Sequence, residues 1–332
     1  MNAQKNKSDN RARSKETKLP AIILFGTDAL ALPVLRALYD AGYPVKLVVT
    51  KPDEPAGRHQ TLTAPPIKQL AKELGLPVWQ PKKYDTIEPL KETNAELYIL
   101  VAYGKLLPNE VLALPSLGVV NVHPSLLPLY RGPSPVQTAL LNGEKETGVT
   151  IMLLDKGMDS GPILAQVRVL IEEQEKSPEL SERLFDAGAK LLIKTLPDYI
   201  SGALAPKPQD ESRATYCSII KRENGLIDWH KSAREIYNQF RAFTPWPGVF
   251  TFFTLNGKKT RIKLLEISAQ QKNLNVTAGT IITHNKLHPI DIACSQGFIQ
   301  IHRLQLEGGK PLTDEEFLNG FGGKLSLKLD KI

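Results

Sequence analysis

Ala21-Ile22-Ile23-Leu24-Phe25-Gly26 is a short apolar run closed by a glycine, and the segments after it set the architecture. From Ala29 to Tyr39 the apolar residues recur at helical spacing, and Val45 to Val49 is a second apolar run. Strand, helix and strand in that order predict a parallel sheet with helices on its faces. Leu97 to Val101 and Leu117 to Val120 read as further buried strands, by composition and length rather than by alternation. Val149 to Leu154 and Ile163 to Leu170 add two more. Helices are expected over residues 67–74, 109–114, 135–142 and 178–200, the last with a stripe of Leu180, Leu184, Ala187, Leu191 and Leu192 facing the sheet.

A nicotinamide enzyme places G-x-G-x-x-G after such a first strand. Here the chain reads Phe25-Gly26-Thr27-Asp28, and no P-loop pattern occurs, so no nucleotide cofactor is expected. The two cysteines, Cys217 and Cys294, lie far apart without metal-ligand spacing, which predicts no structural metal and a reducing, cytoplasmic setting. No apolar stretch approaches the roughly 20 residues of a membrane span. The 332 residues suffice for two domains, and a Pro-, Gly- and charge-rich segment over residues 201–214 marks the boundary between domains at 20–200 and 215–332. Beyond it, short β-like segments at 249–254, 261–267, 279–282, 290–294 and 298–306 predict a small β-barrel, with Asn256-Gly257 as a hairpin turn.

Charge is unevenly spread. Residues 1–20 carry 6 Lys+Arg against 2 Asp+Glu, residues 21–205 carry 18 against 21, and residues 206–332 carry 18 against 12. Residues 1–19 hold almost nothing apolar; they are expected to be disordered, and they have neither the apolar core of a secretory signal nor the pattern of a transit peptide. A basic module joined to a slightly acidic one suits a polyanionic substrate such as RNA, or is an ordinary lysine-rich surface.

Asn121-Val122-His123-Pro124-Ser125-Leu126-Leu127-Pro128 follows one of the buried strands. Side chains two apart in a strand share a face, so Asn121 and His123 are neighbours there. An amide donor beside an imidazole at a strand end can polarise a carbonyl; the alternative is a satisfied core Asn and a surface His. Further on come Arg131-Gly132-Pro133-Ser134-Pro135, Thr147-Gly148-Val149-Thr150-Ile151-Met152 and Asp155-Lys156-Gly157-Met158-Asp159-Ser160-Gly161. In this order the motifs closely resemble the folate-dependent formyltransferases. Ile227-Asp228-Trp229 and Arg241 to Gly248 resemble the branch of that family acting on initiator tRNA, and the likeness runs from about Ile22 to Gly320.

The resemblance implies a Rossmann-like, mostly parallel catalytic domain with a smaller OB-like barrel that holds tRNA. It implies Asn121, His123 and Asp159 as the catalytic trio, with Asp159 brought to His123 by the fold. Ser125, Leu126, Leu127 and Pro128 correspond to the family's tetrahydrofolate-binding segment, in which backbone N–H and C=O groups can read a pteridine edge. Residues 51–66 form a long loop that enters the acceptor stem, with Arg58 as the tRNA contact, although His59-Gln60-Thr61 replaces the usual basic residues. Lys258, Lys259, Arg261, Lys263 and Arg303 supply charge for a phosphate track, while Trp246 is read as a core anchor rather than a base-stacking residue. The expected reaction moves a formyl group from 10-formyltetrahydrofolate to the methionine amine of initiator methionyl-tRNA, in a monomer without a metal. Other acceptors, a ribonucleotide amine or an amino sugar, suit a chain lacking the basic β-rich end or the Arg58 loop. An RNA-binding protein on a dead enzyme fold requires the trio to be lost, and all three residues are present.

Overall fold

Ile22 and Leu24 face one side of the first strand, Ile23 and Phe25 the other, and each pair is buried in a separate apolar cluster. That double burial is why the run shows no polar alternation. The computed structural model describes residues 19–57, 60–272, 275–282 and 290–321. The expectations for the basic tail before Leu19, and for Arg58 and His59, lie outside these residues.

β1 (Ile22–Phe25) leads through a 3-10 turn at Ala29–Ala31 into α1 (Leu32–Asp40) and on to β2 (Val45–Val49). The turn exists because the Asp28 carboxylate accepts the Leu30 N–H at 2.8 Å and caps it. The stretch expected to be all loop after Lys51 holds a small antiparallel hairpin, β3 (Glu54–Ala56) with β4 (Thr61–Thr63). α2 (Pro66–Glu73), β5 (Val78–Trp79) and α3 (Glu88–Lys91) precede β6 (Leu97–Leu100). Then follow α4 (Asn109–Leu112), β7 (Val119–His123), α5 (Pro135–Leu141), β8 (Glu146–Leu153), β9 (Ile163–Leu170) and α6 (Ser177–Ile200). The sheet order is β5-β2-β1-β6-β7-β8-β9, parallel from β5 to β7 and antiparallel over the last two strands. Of the expected helical stripe, Leu180, Leu184 and Leu192 of α6 are buried against this sheet, while Ala187 and Leu191 are half-buried.

In the carboxy-terminal domain, α7 (Ala233–Phe243) starts at a capping box in which the Ser232 hydroxyl accepts the Glu235 N–H and the Glu235 carboxylate accepts the Ser232 N–H. β10 (Val249–Leu255) turns at Asn256 and Gly257, both with positive φ, into β11 (Lys258–Gln270), the hairpin that the Asn-Gly pair implied. β12 (Ile281–Ile282), β13 (Asp291–Ala293), β14 (Phe298–Leu306), β15 (Pro311–Thr313) and α8 (Asp314–Phe321) complete it. The strands form one antiparallel sheet, β10-β11-β14-β13-β12 with β15 on β14. Register shifts between Leu264 and Ile267 mark an irregularity of the kind that bends a strand, and no pairing among the described residues joins β10 to β12 to close the expected barrel. Trp229, not Trp246, anchors this domain: its indole N–H reaches the buried Thr251 hydroxyl at 3.0 Å. Trp246 is 58% exposed between Pro245 and Pro247, contrary to the core-anchor expectation, and the buried indole of this domain is that of Trp229. Among the described residues no helix is long and apolar enough to cross a membrane.

The two domains share one apolar cluster, and a buried charge fixes their contact. Arg241 of α7 is 1% exposed and donates to the carbonyls of Glu172 and Glu175 at 3.1 and 3.3 Å and to Asn238 Oδ1 at 2.8 Å. The connecting segment is likewise tied back to the first domain. Lys207 and Ile163 exchange both backbone hydrogen bonds, at 2.7 and 2.8 Å. Buried Arg131 forks onto Glu211, at 2.9 and 2.6 Å, and the guanidinium holds that carboxyl below the usual carboxylate range.

Arg241→Ala removes the donor to two carbonyls across the interface and to Asn238 beside it, and is expected to destabilise the protein by about 2–3 kcal/mol, read from denaturant melts. Glu211→Gln tests the second tie. A carboxyl whose folded pKa is depressed contributes stability that is present above its unfolded value of about 4.3 and is lost as the pH falls. The midpoint difference between wild type and Glu211→Gln should therefore be largest near neutrality and close as the pH drops through the carboxylate range.

Candidate active site

β1, β2, β6 and β7 run parallel, so their carboxyl ends share one edge, which is where open α/β sheets accept ligands. The chain turns outward in opposite directions from β1 and β6, and the crevice between these strands is bridged by Thr27. Its hydroxyl donates to the Tyr103 carbonyl at 2.9 Å and its N–H to that of Ala102 at 3.2 Å. One strand further along, Asn121 and His123 are both buried near the end of β7. The Asn121 side chain makes no hydrogen bond to the described residues, so its amide is open to a ligand.

His123 is held from two sides. One ring nitrogen, Nε2, lies 3.0 Å from the carbonyl of Tyr130; a carbonyl only accepts, so this nitrogen carries a proton. The other, Nδ1, lies 3.7 Å from Asp159 Oδ2. The three residues expected to converge are thus at one edge. Nε2 is spent on the protein, so only Nδ1 can donate to a bound oxygen, and it does so only when the ring is charged. Asp159 supplies the matching negative group.

Asp159 reaches this place through a turn closed by Asp155, whose Oδ1 accepts the Gly157 N–H at 2.9 Å and the Ser160 hydroxyl at 2.8 Å. A Cβ at Gly161 would stand 1.9 Å from the Leu153 carbonyl oxygen, so only glycine lets the turn close on β8. Asp159 itself has φ +49, and Tyr130, across the imidazole, has φ +61. Left-handed non-glycine residues cost on the order of 1–3 kcal/mol each and persist where the surroundings impose them. Oδ2 of Asp159 also accepts the N–H of Gly132 at 2.9 Å. At Gly132 a Cβ would meet the Cys217 carbonyl oxygen at 2.6 Å, and φ is +114, so this donor too depends on glycine.

Ser125 to Pro128 are placed beside the trio, but their backbone is largely engaged within the protein. Thr150 Oγ1 donates to the Ser125 carbonyl at 2.7 Å and accepts the Leu127 N–H at 3.1 Å. Gln166 donates to the Leu127 carbonyl at 2.8 Å, and the Ser125 hydroxyl to that of Leu129 at 2.6 Å. Ser125 and Leu127 are buried, while Leu126 and Pro128 are half-buried. The segment is a wall in which only the Leu126 N–H lacks a partner among the described residues, so the reading edge the sequence suggested is reduced to that group.

The connecting segment forms the rest of the site, which no pattern in its polar, proline-rich sequence reveals. Gln209 donates to the carbonyls of Asp159 and Gly161 and accepts from Arg131. Cys217 accepts the Ser134 N–H at 3.2 Å, and its N–H reaches the Arg131 carbonyl at 2.8 Å. Burial pushes the Cys217 thiol up, which keeps it neutral. Among the described residues no group of three His, Cys, Asp or Glu side chains is gathered as a metal site would require.

A basic and aromatic surface lies on the second domain. Lys259, Arg261 and Lys263 alternate along β11 and so share a face with Phe250 and Phe252 of β10. The Arg261 guanidinium stacks 3.8 Å from the Phe250 centroid, and the Lys259 ammonium sits 4.8 Å from that of Phe252. Arg303 on β14 follows beyond the bulge, opposite Glu266.

The formyl transferase family model matches residues 20–196 and that family's C-terminal domain model matches residues 219–322, with residues 197–218 between them. A methionyl-tRNA formyltransferase of Thermodesulfovibrio yellowstonii is 42% identical over 302 residues, covering 90% of this chain and 95% of that one. In fold, the chain is similar to an N-formyltransferase from Helicobacter canadensis solved with folinic acid and dTDP-3-aminofucose. The TM-score is 0.64 at 21% identity, over 85% of this chain and 98% of that one. HypX from Aquifex aeolicus, solved with tetrahydrofolic acid, aligns with a TM-score of 0.61 at 16% identity; 95% of this chain spans about half of that one, 49%. Together with the site at the end of β7, these matches show that the chain belongs to the formyl transferase family and stands with its methionyl-tRNA formyltransferases.

Proposed function

We propose that the chain transfers a formyl group from 10-formyltetrahydrofolate to the free amino group of methionine on initiator methionyl-tRNA, the modification that marks a tRNA for starting translation. The observation that carries the reading is the amide of Asn121, which makes no hydrogen bond to the described residues, on the same strand face as an imidazole backed by Asp159. Residues 20–200 are taken as the catalytic domain, residues 201–214 as the linker and residues 215–332 as the domain that holds tRNA.

The chemistry asks for three things. A carbonyl oxygen gains negative charge as the amine nitrogen bonds to the formyl carbon. The attacking nitrogen has to lose a proton. The nitrogen that departs has to gain one. Asn121 offers an N–H to the first, and Nδ1 of charged His123 offers a second; one such donor is worth about 2.7–4 kcal/mol of barrier. Asp159 accepts the proton shed by the attacking amine, directly or through a water, and the same site returns one to the leaving nitrogen. No covalent nucleophile is required, in keeping with the neutral, buried Cys217. The donor supplies the one-carbon unit. The wall made by Leu126, Leu127 and Pro128 supports a flat apolar ring being held beside Asn121. The face of Lys259, Arg261 and Lys263, with exposed Trp246 near it, supports a sugar–phosphate strand being held on the second domain. The folate and tRNA names borne by the relatives support both assignments.

The test is a labelling assay with charged initiator tRNA, charged elongator tRNA and labelled formyl donor. Label on initiator methionyl-tRNA is expected, and label on neither acceptor sinks the reading. Asn121→Ala should lower kcat about 10²–10³-fold with tRNA affinity nearly unchanged, and Asp159→Ala should do likewise. In the same assay, Arg58→Ala should narrow the preference for initiator over elongator, and an unaltered ratio would remove Arg58 from tRNA recognition.

A further inference from the structure

Gln209 lies outside the residues that carry the reaction, on the segment connecting the two domains, yet its carboxamide touches both sides of the site. Nε2 donates to the carbonyl oxygens of Asp159, at 2.8 Å, and Gly161, at 2.7 Å. Oε1 accepts from Nε and Nη2 of Arg131, at 3.1 and 2.9 Å. Both donors and both acceptor lone pairs of the amide are therefore used. Its orientation is fixed by chemistry, since a guanidinium only donates and carbonyls only accept.

We propose that Gln209 is a positioning residue that fixes the backbone of Asp159 and so sets the distance between its carboxylate and His123; the proposal rests on the functional reading above. Three observations lead to it. Asp159 sits at φ +49, a conformation that has to be imposed from outside. Its Oδ2 lies 3.7 Å from His123 Nδ1, beyond hydrogen-bond reach, so the contact itself does not hold the separation. Arg131, the other partner of Gln209, immediately follows Tyr130, whose carbonyl holds the opposite nitrogen of the imidazole. One side chain thus spans the two supports of His123.

A merely structural role as a strap for the connecting segment is disfavoured, because the strap is already redundant. Lys207 pairs with Ile163, Thr215 and Cys217 pair with Arg131, and Glu211 pairs with the Arg131 guanidinium, all without Gln209. Gly132 holds the Asp159 carboxylate, but among the described residues the carbonyls of Asp159 and Gly161 accept from Gln209 alone. Glutamate at this position keeps the acceptor for Arg131 and loses both donors, while leucine of similar size loses everything.

Full-length Gln209→Glu and Gln209→Leu would be compared with wild type and Asp159→Ala for kcat, KM for charged initiator tRNA, the pH profile of kcat and the thermal midpoint. Both Gln209 variants should lose about 10–100-fold in kcat, with KM moved by less than about twofold, the midpoint nearly kept and the pH profile displaced. Wild-type kcat in both, with Asp159→Ala inactive, overturns the positioning role alone. A fall in kcat that only tracks a falling folded fraction, with the pH profile unmoved, overturns it too, as does failure of both variants to fold. Wild-type turnover by Asp159→Ala instead overturns the reading of the site itself.

Discussion

A single carboxylate oxygen, Oδ2 of Asp159, accepts the N–H of Gly132 and faces the imidazole of His123, and the rest of the candidate site is arranged around it. The oxygen belongs to a turn between β8 and β9, the N–H to the loop after β7, and the imidazole to β7 itself. Three stretches of chain that are neighbours only through the sheet register meet at that point. Electrostatics in a partly buried place makes the meeting consequential, because charge on either partner is felt strongly where little water screens it. It also explains why the surroundings are so fully hydrogen-bonded: a loosely held carboxylate would drift to solvent.

The parallel sheet was legible because its strands are buried on both faces. β2 and β9 occupy the residues their apolar runs marked, and β1 and β6 lie within a residue of theirs. The hairpin of β3 and β4 was not legible, since Thr61, Leu62 and Thr63 are all exposed and no apolar face announces them. β8 begins at Glu146, three residues before its apolar run, because Glu146 and Thr147 pair with Leu170 and Val169 in the ladder whatever their polarity. Trp246 was misjudged because an aromatic between prolines carries no periodicity to say which way it faces.

The site was legible in part. Strand parity alone placed Asn121 beside His123, while the approach of Asp159 came only from the family likeness, as no local pattern encodes a contact 36 residues away. Gln209, Glu211 and Cys217 gave no signal. Their roles are set by partners such as the Asp159 carbonyl, a backbone group that looks the same at every residue. The backbone of residues 125–128 was expected to be free; apart from the Leu126 N–H it is bound among the described residues, in part by Thr150 and Gln166.

The return of the connecting segment onto the first domain bears on how the protein can be divided. The ties continue past Glu211 as far as Ser218, whose carbonyl accepts the Ser134 hydroxyl at 2.6 Å. A chimaera that joins this parallel sheet to a foreign carboxy-terminal module at residue 200 would discard a wall of the candidate site along with the module. A graft therefore begins no earlier than Ser218, so that residues 201–218 travel with the first domain, and the incoming module has to replace Arg241 and its share of the common apolar cluster.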